Sequence, residues 1–205
     1  MTIQPTLFAV GAPALDRTFS RIRRVDFGHG AWVDYHPVWC SGADQLFQEI
    51  QDGTEWHAHR RPMYERVVDV PRLTGSIEVD KAPAVIAEAV ALLSERYGFV
   101  LDRVTAARYR SGNDSVAWHA DRVGTMADDV VVAILSLGGP RKFLVRRGTR
   151  GPSTAYTLGS GDLLVMGGSS QRHLQHGVPK VAHAEPRISV MFRPELPGEE
   201  DYEEV

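Results

Sequence analysis

The sequence predicts an α+β fold whose second half is mainly β. Two amphipathic helical patterns lie in the first hundred residues, and from about residue 101 the chain becomes a series of short β-rich runs separated by Gly, Pro, Asn and Asp. Many short strands at close spacing, with turn signals between them, indicate a sandwich or a barrel. A jelly roll is among the options.

Each helix is predicted from its apolar face and its ends. The first is expected over residues 42–51, where Leu46, Phe47 and Ile50 share one side. The second is expected over residues 83–97, because Pro83 suits a first helical position and Gly98 a C-terminal stop.

The predicted strands follow the second helix and are bounded by turn residues. They cover residues 103–110, 116–121, 130–137, 142–146, 155–158, 162–166 and 187–192. Residues 7–10 and 32–35 are expected to add edge strands. The predicted order is mixed α/β first and nearly all β afterwards.

Bulk properties predict a single domain over residues 1–205, with an N-terminal part of about 1–100, a core of about 101–195 and an acidic tail at 196–205. A net charge of −3 excludes a globally basic nucleic-acid binder, so any such surface must be local. The lone Cys40 fits a reducing compartment. Without an apolar run of membrane-spanning length or a signal-peptide pattern, we expect a cytoplasmic protein with no membrane partner.

The segment around His119 and Asp121 carries the main functional signal. In an extended strand, side chains two positions apart point to the same face, so both would aim at one point while Ala120 points away. With a second histidine they would form the ligand set of a non-haem Fe(II) oxygenase, which leaves coordination positions open. His173, His176 and His183 compete for the third position; we favour His176, which is expected to open a turn, and spacing alone does not decide.

Arg187 and Arg193 are six residues apart and would share one face of a strand with Ser189 and Met191. Their Cα atoms would lie about 20 Å apart at roughly 3.3 Å per residue, too far for both to hold one small carboxylate. They could instead reach opposite ends of one site, where a guanidinium clamps a carboxylate bidentately. The alternative is that both are solvated strand ends.

Five ordered stretches of the second half resemble the AlkB family of Fe(II)- and 2-oxoglutarate-dependent dioxygenases. They are residues 108–110 (RYR), 113–121 (NDSVAWHAD), 161–166 (GDLLVM), 175–180 (QHGVPK) and 186–193 (PRISVMFR). Residues 61–64 (RPMY) and 71–74 (PRLT) more loosely resemble the nucleotide-recognition region of that family.

The resemblance implies a double-stranded β-helix, or jelly roll, with flanking helices and an N-terminal nucleotide-recognition lid. It implies three cofactors or cosubstrates: Fe(II), 2-oxoglutarate and O2. The residues it assigns to them are His119, Asp121 and His176 for the metal, Arg187 for the distal carboxylate of 2-oxoglutarate, and Tyr109, Ser189 and Arg193 for the rest of that cosubstrate site.

The activity implied is oxidative dealkylation of N-alkylated bases in DNA or RNA, a repair reaction on a single-stranded nucleic acid by a monomeric enzyme. The alkyl carbon leaves as an aldehyde, and 2-oxoglutarate becomes succinate and CO2. Candidate substrate residues are Tyr64, Arg72, Arg122, Arg141 and Arg146. A basic run on one predicted hairpin could contact phosphates, and a solvated strand face is the alternative.

Departures from the family pattern concern mainly the substrate. Ala107 and Ser189 stand where the family often has Asn near the cosubstrate. Arg122 and Val123 follow the metal aspartate where repair members carry a second acid, and residues 75–77 (GSI) lack a common aromatic. An alternative is therefore the same chemistry on a modified tRNA, a protein or a small molecule. A non-catalytic jelly roll is a further alternative, disfavoured by the intact ligand set.

Overall fold

Strands are the main secondary structure of this fold. A computed structural model describes residues 11–63, 66–121 and 129–195. The helices are α1 (Ala43–Gly53), α2 (Ala84–Tyr97) and the single turn α3 (Ser170–His173). The strands are β1 (Ala14–Leu15), β2 (Arg23–Gly28), β3 (Ala31–His36), β4 (Cys40–Ser41), β5 (His57–Met63), β6 (Arg66–Ser76), β7 (Arg103–Tyr109), β8 (Val116–His119), β9 (Val132–Gly138), β10 (Arg141–Arg147), β11 (Ser153–Leu158), β12 (Leu163–Gly168), β13 (Leu174–Val178) and β14 (Arg187–Arg193).

Two sheets form the core, and their strand pairs are antiparallel. The larger has eight strands in the order β2-β3-β12-β9-β14-β7-β6-β5, and the smaller has four in the order β11-β10-β13-β8. One apolar cluster joins their inner faces, with Phe143 and Val145 from the small sheet and Ile134 and Met166 from the large sheet. This is the double-stranded β-helix that the resemblance implied, and the jelly-roll prediction is confirmed.

The helices cover the other face of the eight-stranded sheet. Leu46 of α1 and Ile86 of α2 are fully buried in a second apolar cluster, which also holds Ile188, Val190 and Phe192 of β14. The centre of the large sheet is therefore buried on both faces. The alternation predicted for β14 is confirmed, because its even-numbered residues pack towards the helices.

Helix ends agree with the prediction to within two residues. α1 starts one residue after Gly42, which adopts a left-handed φ of 63°. α2 starts directly after Pro83, and Gly98 ends it with a φ of 74° and an N–H donated to the Ser94 carbonyl at 2.9 Å. Within the described parts of the chain, no helix combines the length and apolar character needed to cross a bilayer.

Several strand predictions were wrong. His176 lies in the middle of β13 and opens no turn. β3 pairs with both β2 and β12, so it is an internal strand and not an edge strand. The hairpin of β5 and β6 was not predicted, and it extends the large sheet beyond β7. The strand expected at residues 7–10 lies outside the described residues.

Candidate active site

The strands β8 and β13 bring the metal-ligand candidates together. His119 and His176 are direct cross-strand partners, and their ring centroids lie 4.2 Å apart. Oδ1 of Asp121 lies 3.7 Å from Nε2 of each imidazole. One ligand atom from each of the three residues lies within 4.8 Å of the others. Two imidazoles and one carboxylate therefore converge on one point, and the set fits a divalent iron with open positions.

The competing histidines lie elsewhere. His173 is exposed at the end of α3, where its ring lies 5.5 Å from the ring of His29. His183 is exposed in the connection between β13 and β14. The choice of His176 that the sequence left open therefore agrees with the geometry.

Neighbouring groups orient these ligands. Nδ1 of His119 lies 2.9 Å from the Ala117 carbonyl, which can only accept, so Nδ1 carries the proton and Nε2 is left for a metal. The side-chain oxygen of Gln171 accepts the backbone N–H of Asp121 at 2.9 Å. Sequence reasoning missed Gln171, because its partner is 50 residues away and no local pattern marks it.

His176 is suited to metal binding by its surroundings. It is 5% exposed and stacks on Phe143, with ring centroids 5.3 Å apart. Burial lowers the pKa of His176 to about 4; the nearby Asp121 opposes this shift, and His119 and Arg72 add to it. The imidazole is therefore neutral at neutral pH, which is the form that ligates a metal.

Arg187 is a fully buried guanidinium on the opposite sheet. Its Nε donates to Oγ of Ser136 at 3.0 Å, and Tyr109, its cross-strand partner, holds its ring 5.3 Å from the guanidinium carbon. Among the described residues, neither Nη1 nor Nη2 has a hydrogen-bond partner. Desolvation lowers the pKa of Arg187. A buried cation with two free donors calls for an anion, and the parallel fork of a guanidinium matches a carboxylate.

One cavity of about 1520 Å³ lies between the sheets and takes in the metal-ligand cluster. Tyr109, Ser189 and Arg193 line it. Arg193 lies opposite Arg103 in the pairing of β14 with β7. The structure thus gathers most of the predicted cosubstrate residues around the space beside the ligands.

The candidate substrate residues fall in different places. Arg72 lines the cavity. Arg146 lies on the outer face of the four-stranded sheet, where its guanidinium carbon is 4.1 Å from the centre of the Trp118 ring. Tyr64 and Arg122 lie outside the described residues.

Arg141 is not placed to bind a substrate, and that prediction needs correction. It is 3% exposed, and its guanidinium donates to the backbone carbonyls of Ser111, Asp114 and Pro179 at 2.7–3.2 Å. These hydrogen bonds hold the β7–β8 and β13–β14 connections against β10. The signal was present in the sequence, because Arg141 has the same strand parity as the inward-facing Phe143 and Val145.

Residues 45–193 match the model of the 2OG-Fe(II) oxygenase superfamily. The chain belongs to this superfamily. The geometry of His119, Asp121 and His176 fits the iron that the superfamily is named for, and Arg187 fits the carboxylate of 2-oxoglutarate.

Curated relatives of this 2OG-Fe(II) oxygenase include AlkB homologues, in agreement with the resemblance in the sequence. The human alpha-ketoglutarate-dependent dioxygenase alkB homolog 3 is 33% identical over 115 residues, which are 51% of this chain and 40% of the relative. The DNA oxidative demethylase ALKBH2 of Arabidopsis thaliana is 34% identical over 110 residues, 42% of this chain and 35% of the relative. The chain thus spans about two fifths of the length of the curated relatives it matches.

Solved structures share the fold. The structure of OsALKBH1 superposes with a TM-score of 0.57 at 16% identity and covers 84% of this chain and 100% of its own. A prolyl-4-hydroxylase of Pseudomonas putida gives a TM-score of 0.52 at 14% identity, with 80% of this chain and 93% of its own covered. At these identities the likeness concerns the fold alone.

Proposed function

We propose that this protein is an Fe(II)- and 2-oxoglutarate-dependent dioxygenase that removes alkyl groups oxidatively from the nitrogens of DNA or RNA bases. The observation that carries the proposal is the convergence of His119, Asp121 and His176 inside a jelly roll that also buries Arg187 with two unused donors. A cluster of metal ligands alone, or a buried arginine alone, would be weaker evidence for this function.

The residues of the site would have distinct roles. His119, Asp121 and His176 would hold Fe(II) on one side and leave the other side to the cavity. Arg187 would clamp the distal carboxylate of 2-oxoglutarate, with Tyr109 against its guanidinium and Ser189 and Arg193 along the same cavity wall. Iron, O2 and 2-oxoglutarate together supply the oxidation of a C–H bond on the alkyl group.

A nucleic-acid substrate is supported by the charge of the four-stranded sheet. Its strands contain no Asp or Glu, while β10 alone carries Arg141, Lys142, Arg146 and Arg147. Lys142 and Arg147 are exposed and Arg146 is half-buried. In a chain of net charge −3 this is a local basic surface, and cationic side chains bind phosphates by releasing counterions.

The cavity also suits a base removed from its stack. An enzyme that modifies a base needs it unpaired and extruded. Among the described strands, β8, which carries His119, is the edge strand of the small sheet, so the ligand cluster lies beside an edge of that sheet. A single strand could pass this edge and present one base to the cavity.

The test uses the intact protein loaded with Fe(II). We expect succinate and formaldehyde in equal amounts from single-stranded oligonucleotides that carry N-methylated bases, and none after His119→Ala or Asp121→Ala. His183→Ala is the matched histidine control and should keep the activity. No turnover of several methylated bases by the iron-loaded protein would contradict the proposal. Turnover of 2-oxoglutarate independent of oligonucleotide would favour another substrate.

A further inference from the structure

N-alkylated bases fall into two charge classes. Alkylation of a ring nitrogen that bears only a lone pair, such as N1 of adenine or N3 of cytosine, leaves a cation. Alkylation of a nitrogen that normally carries hydrogen, such as N3 of thymine or uracil or N1 of guanine, leaves a neutral base. In the neutral class, carbonyl oxygens that accept hydrogen bonds lie beside the alkylated nitrogen.

Arg72 brings a positive charge to the cavity of the metal ligands. It lies on β6 two residues before Thr74, next to the stretch where the pairing of β6 with β5 shifts register. Thr74 is the cross-strand partner of Ala107, which packs in the cluster between the sheets. Arg72 is half-buried and lines the same cavity as the three metal ligands. Arg72 therefore borders the space in which a substrate must lie.

The described lining of the cavity offers little negative charge near the metal site to balance this arginine. Asp121 is the acid beside the ligands, and its charge is committed to the metal. Three other described carboxylates line the cavity and have partners of their own: Glu49 accepts from Gln45, Glu55 lies 3.8 Å from His57, and Glu78 pairs with Lys81. Glu78 is six residues beyond Arg72, about 20 Å along an extended chain.

The charge of Arg72 is not neutralised within the described part of the chain. Among the described residues, no carboxylate forms an ion pair with it. A half-buried cation repels a second cation more strongly than an exposed one does, because the effective dielectric constant is lower. The same guanidinium donates hydrogen bonds and accepts none, so it matches the two carbonyl oxygens beside N3 of thymine or uracil and mismatches the amino group beside N1 of adenine. Guanine and cytosine each place one carbonyl and one amino group beside the alkylated nitrogen, so for these two bases the charge makes the difference.

We propose that this cleft selects neutral N-alkylated bases, and that Arg72 is the residue that sets the selectivity. The inference rests on the proposed function and makes it more specific. The preferred substrates would be alkylated thymine, uracil or guanine in a single strand. Alkylated adenine and cytosine would be poor substrates because they carry a positive charge next to the reacting carbon.

The experiment compares single-stranded oligonucleotides of one sequence that carry N3-methylthymine, N1-methylguanine, N3-methylcytosine or N1-methyladenine. We expect kcat/KM to be at least about tenfold higher for the neutral pair, which is the discrimination that one unit charge at roughly 10 Å gives at an effective dielectric constant of about 20. Arg72→Gln should bring the ratio close to one, and Arg72→Glu should invert it. Arg72→Lys, which keeps the charge, should retain a preference against the cations.

Arg23→Gln removes an exposed arginine on β2 and is the matched control, with an unchanged ratio. A ratio within one protein is insensitive to a partial loss of folded material, and thermal unfolding checks each variant. Equal or faster turnover of the cationic pair would overturn the inference and leave the proposed function standing. An unchanged ratio in both Arg72→Gln and Arg72→Glu would remove Arg72 as its cause. Failure on all four oligonucleotides would overturn the function and the inference together.

Discussion

Arg187 and Arg141 are two buried arginines with opposite requirements. Both Nη atoms of Arg141 donate to carbonyls of its own chain and only its Nε lacks a partner among the described residues, whereas both Nη atoms of Arg187 lack one. An unpaired buried charge costs free energy until a ligand supplies the counter-charge. Arg141 therefore serves the fold, and Arg187 is suited to bind an anion.

This contrast gives a prediction for Arg187→Met and Arg141→Met. Without 2-oxoglutarate, Arg187→Met should unfold at the same temperature as the wild type or higher, but should lose the rise in Tm that 2-oxoglutarate gives the wild type. Arg141→Met should lose roughly 3 kcal/mol, because three buried carbonyls lose their donors. Thermal unfolding with and without 2-oxoglutarate measures both. An equal loss of stability in the two variants would argue against an anion site at Arg187.

The lowered pKa of His176 predicts how the metal-free protein responds to acid. Its folded pKa of about 4 lies below the ordinary 6.5, so between these values the unfolded chain binds the extra proton. Stability should therefore fall as the pH drops from 6.5 towards 4, with a contribution of at most about 1.4 kcal/mol per pH unit for one proton. His176→Leu should flatten this slope in denaturant titrations, and His183→Ala should keep it. A wild-type slope in His176→Leu would contradict the assignment.

Single residues also show how much of the site can be predicted from the sequence. His119 and Asp121 converge as a period of two predicts, although β8 ends at His119 and Asp121 lies two residues beyond it. The alternation of β14 separated Ser189, Met191 and Arg193 from the residues that pack against the helices. The burial of Arg141 was accessible by the same rule and was missed because arginines are usually exposed. The role of Gln171 was not accessible, because its partner is distant in the chain.

Among the strands, β13 was not predicted because it contains a glycine. A His-Gly-Val-Pro sequence is typical of a turn, and the strand becomes evident only through its pairing with β8 and β10. Glycine is favoured at position 177, since a Cβ would lie 3.0 Å from the Val116 carbonyl oxygen of β8, a close contact. The β5–β6 hairpin was not predicted because it contains several arginines and two prolines, Pro62 and Pro71. Proline is uncommon in strands.

The pair β3 and β12 offers a test of close packing between elements. The indole of Trp32 lies directly over Gly167, its cross-strand partner, and a Cβ on Gly167 would overlap the ring. Gly167→Ala should therefore destabilise the protein by about 1–3 kcal/mol through overpacking. Gly53→Ala is the matched control, because nothing lies within 4 Å of its Cβ position. It should be neutral or stabilising by up to about 1 kcal/mol. Equal effects in chemical denaturation would contradict the packing argument.

For the whole molecule, the distribution of charge matters more than its sum. The net charge of −3 conceals a four-stranded sheet without acids. The inner face of that sheet carries two of the metal ligands, and its outer face carries Arg146 and Trp118. A strand of nucleic acid held on the outer face would thus be separated from the metal site by the thickness of one sheet.

Arg146 is the residue through which this arrangement can be tested. Its guanidinium lies over Trp118, and Gln175 fixes it by accepting from Nε at 3.3 Å and Nη2 at 2.9 Å. Arg146→Gln should weaken binding of an unmodified single-stranded oligonucleotide several-fold and lower the slope of log K against log salt by about 0.7, the loss of one phosphate contact. Fluorescence anisotropy over a salt series measures both quantities. Arg23→Gln removes the same charge from the edge strand β2. It should change neither quantity, because β2 belongs to the large sheet and not to the sheet that contains β8. Identical slopes in the two variants would mean that the outer face of the small sheet does not hold the strand, and that the path to the cavity runs along another surface.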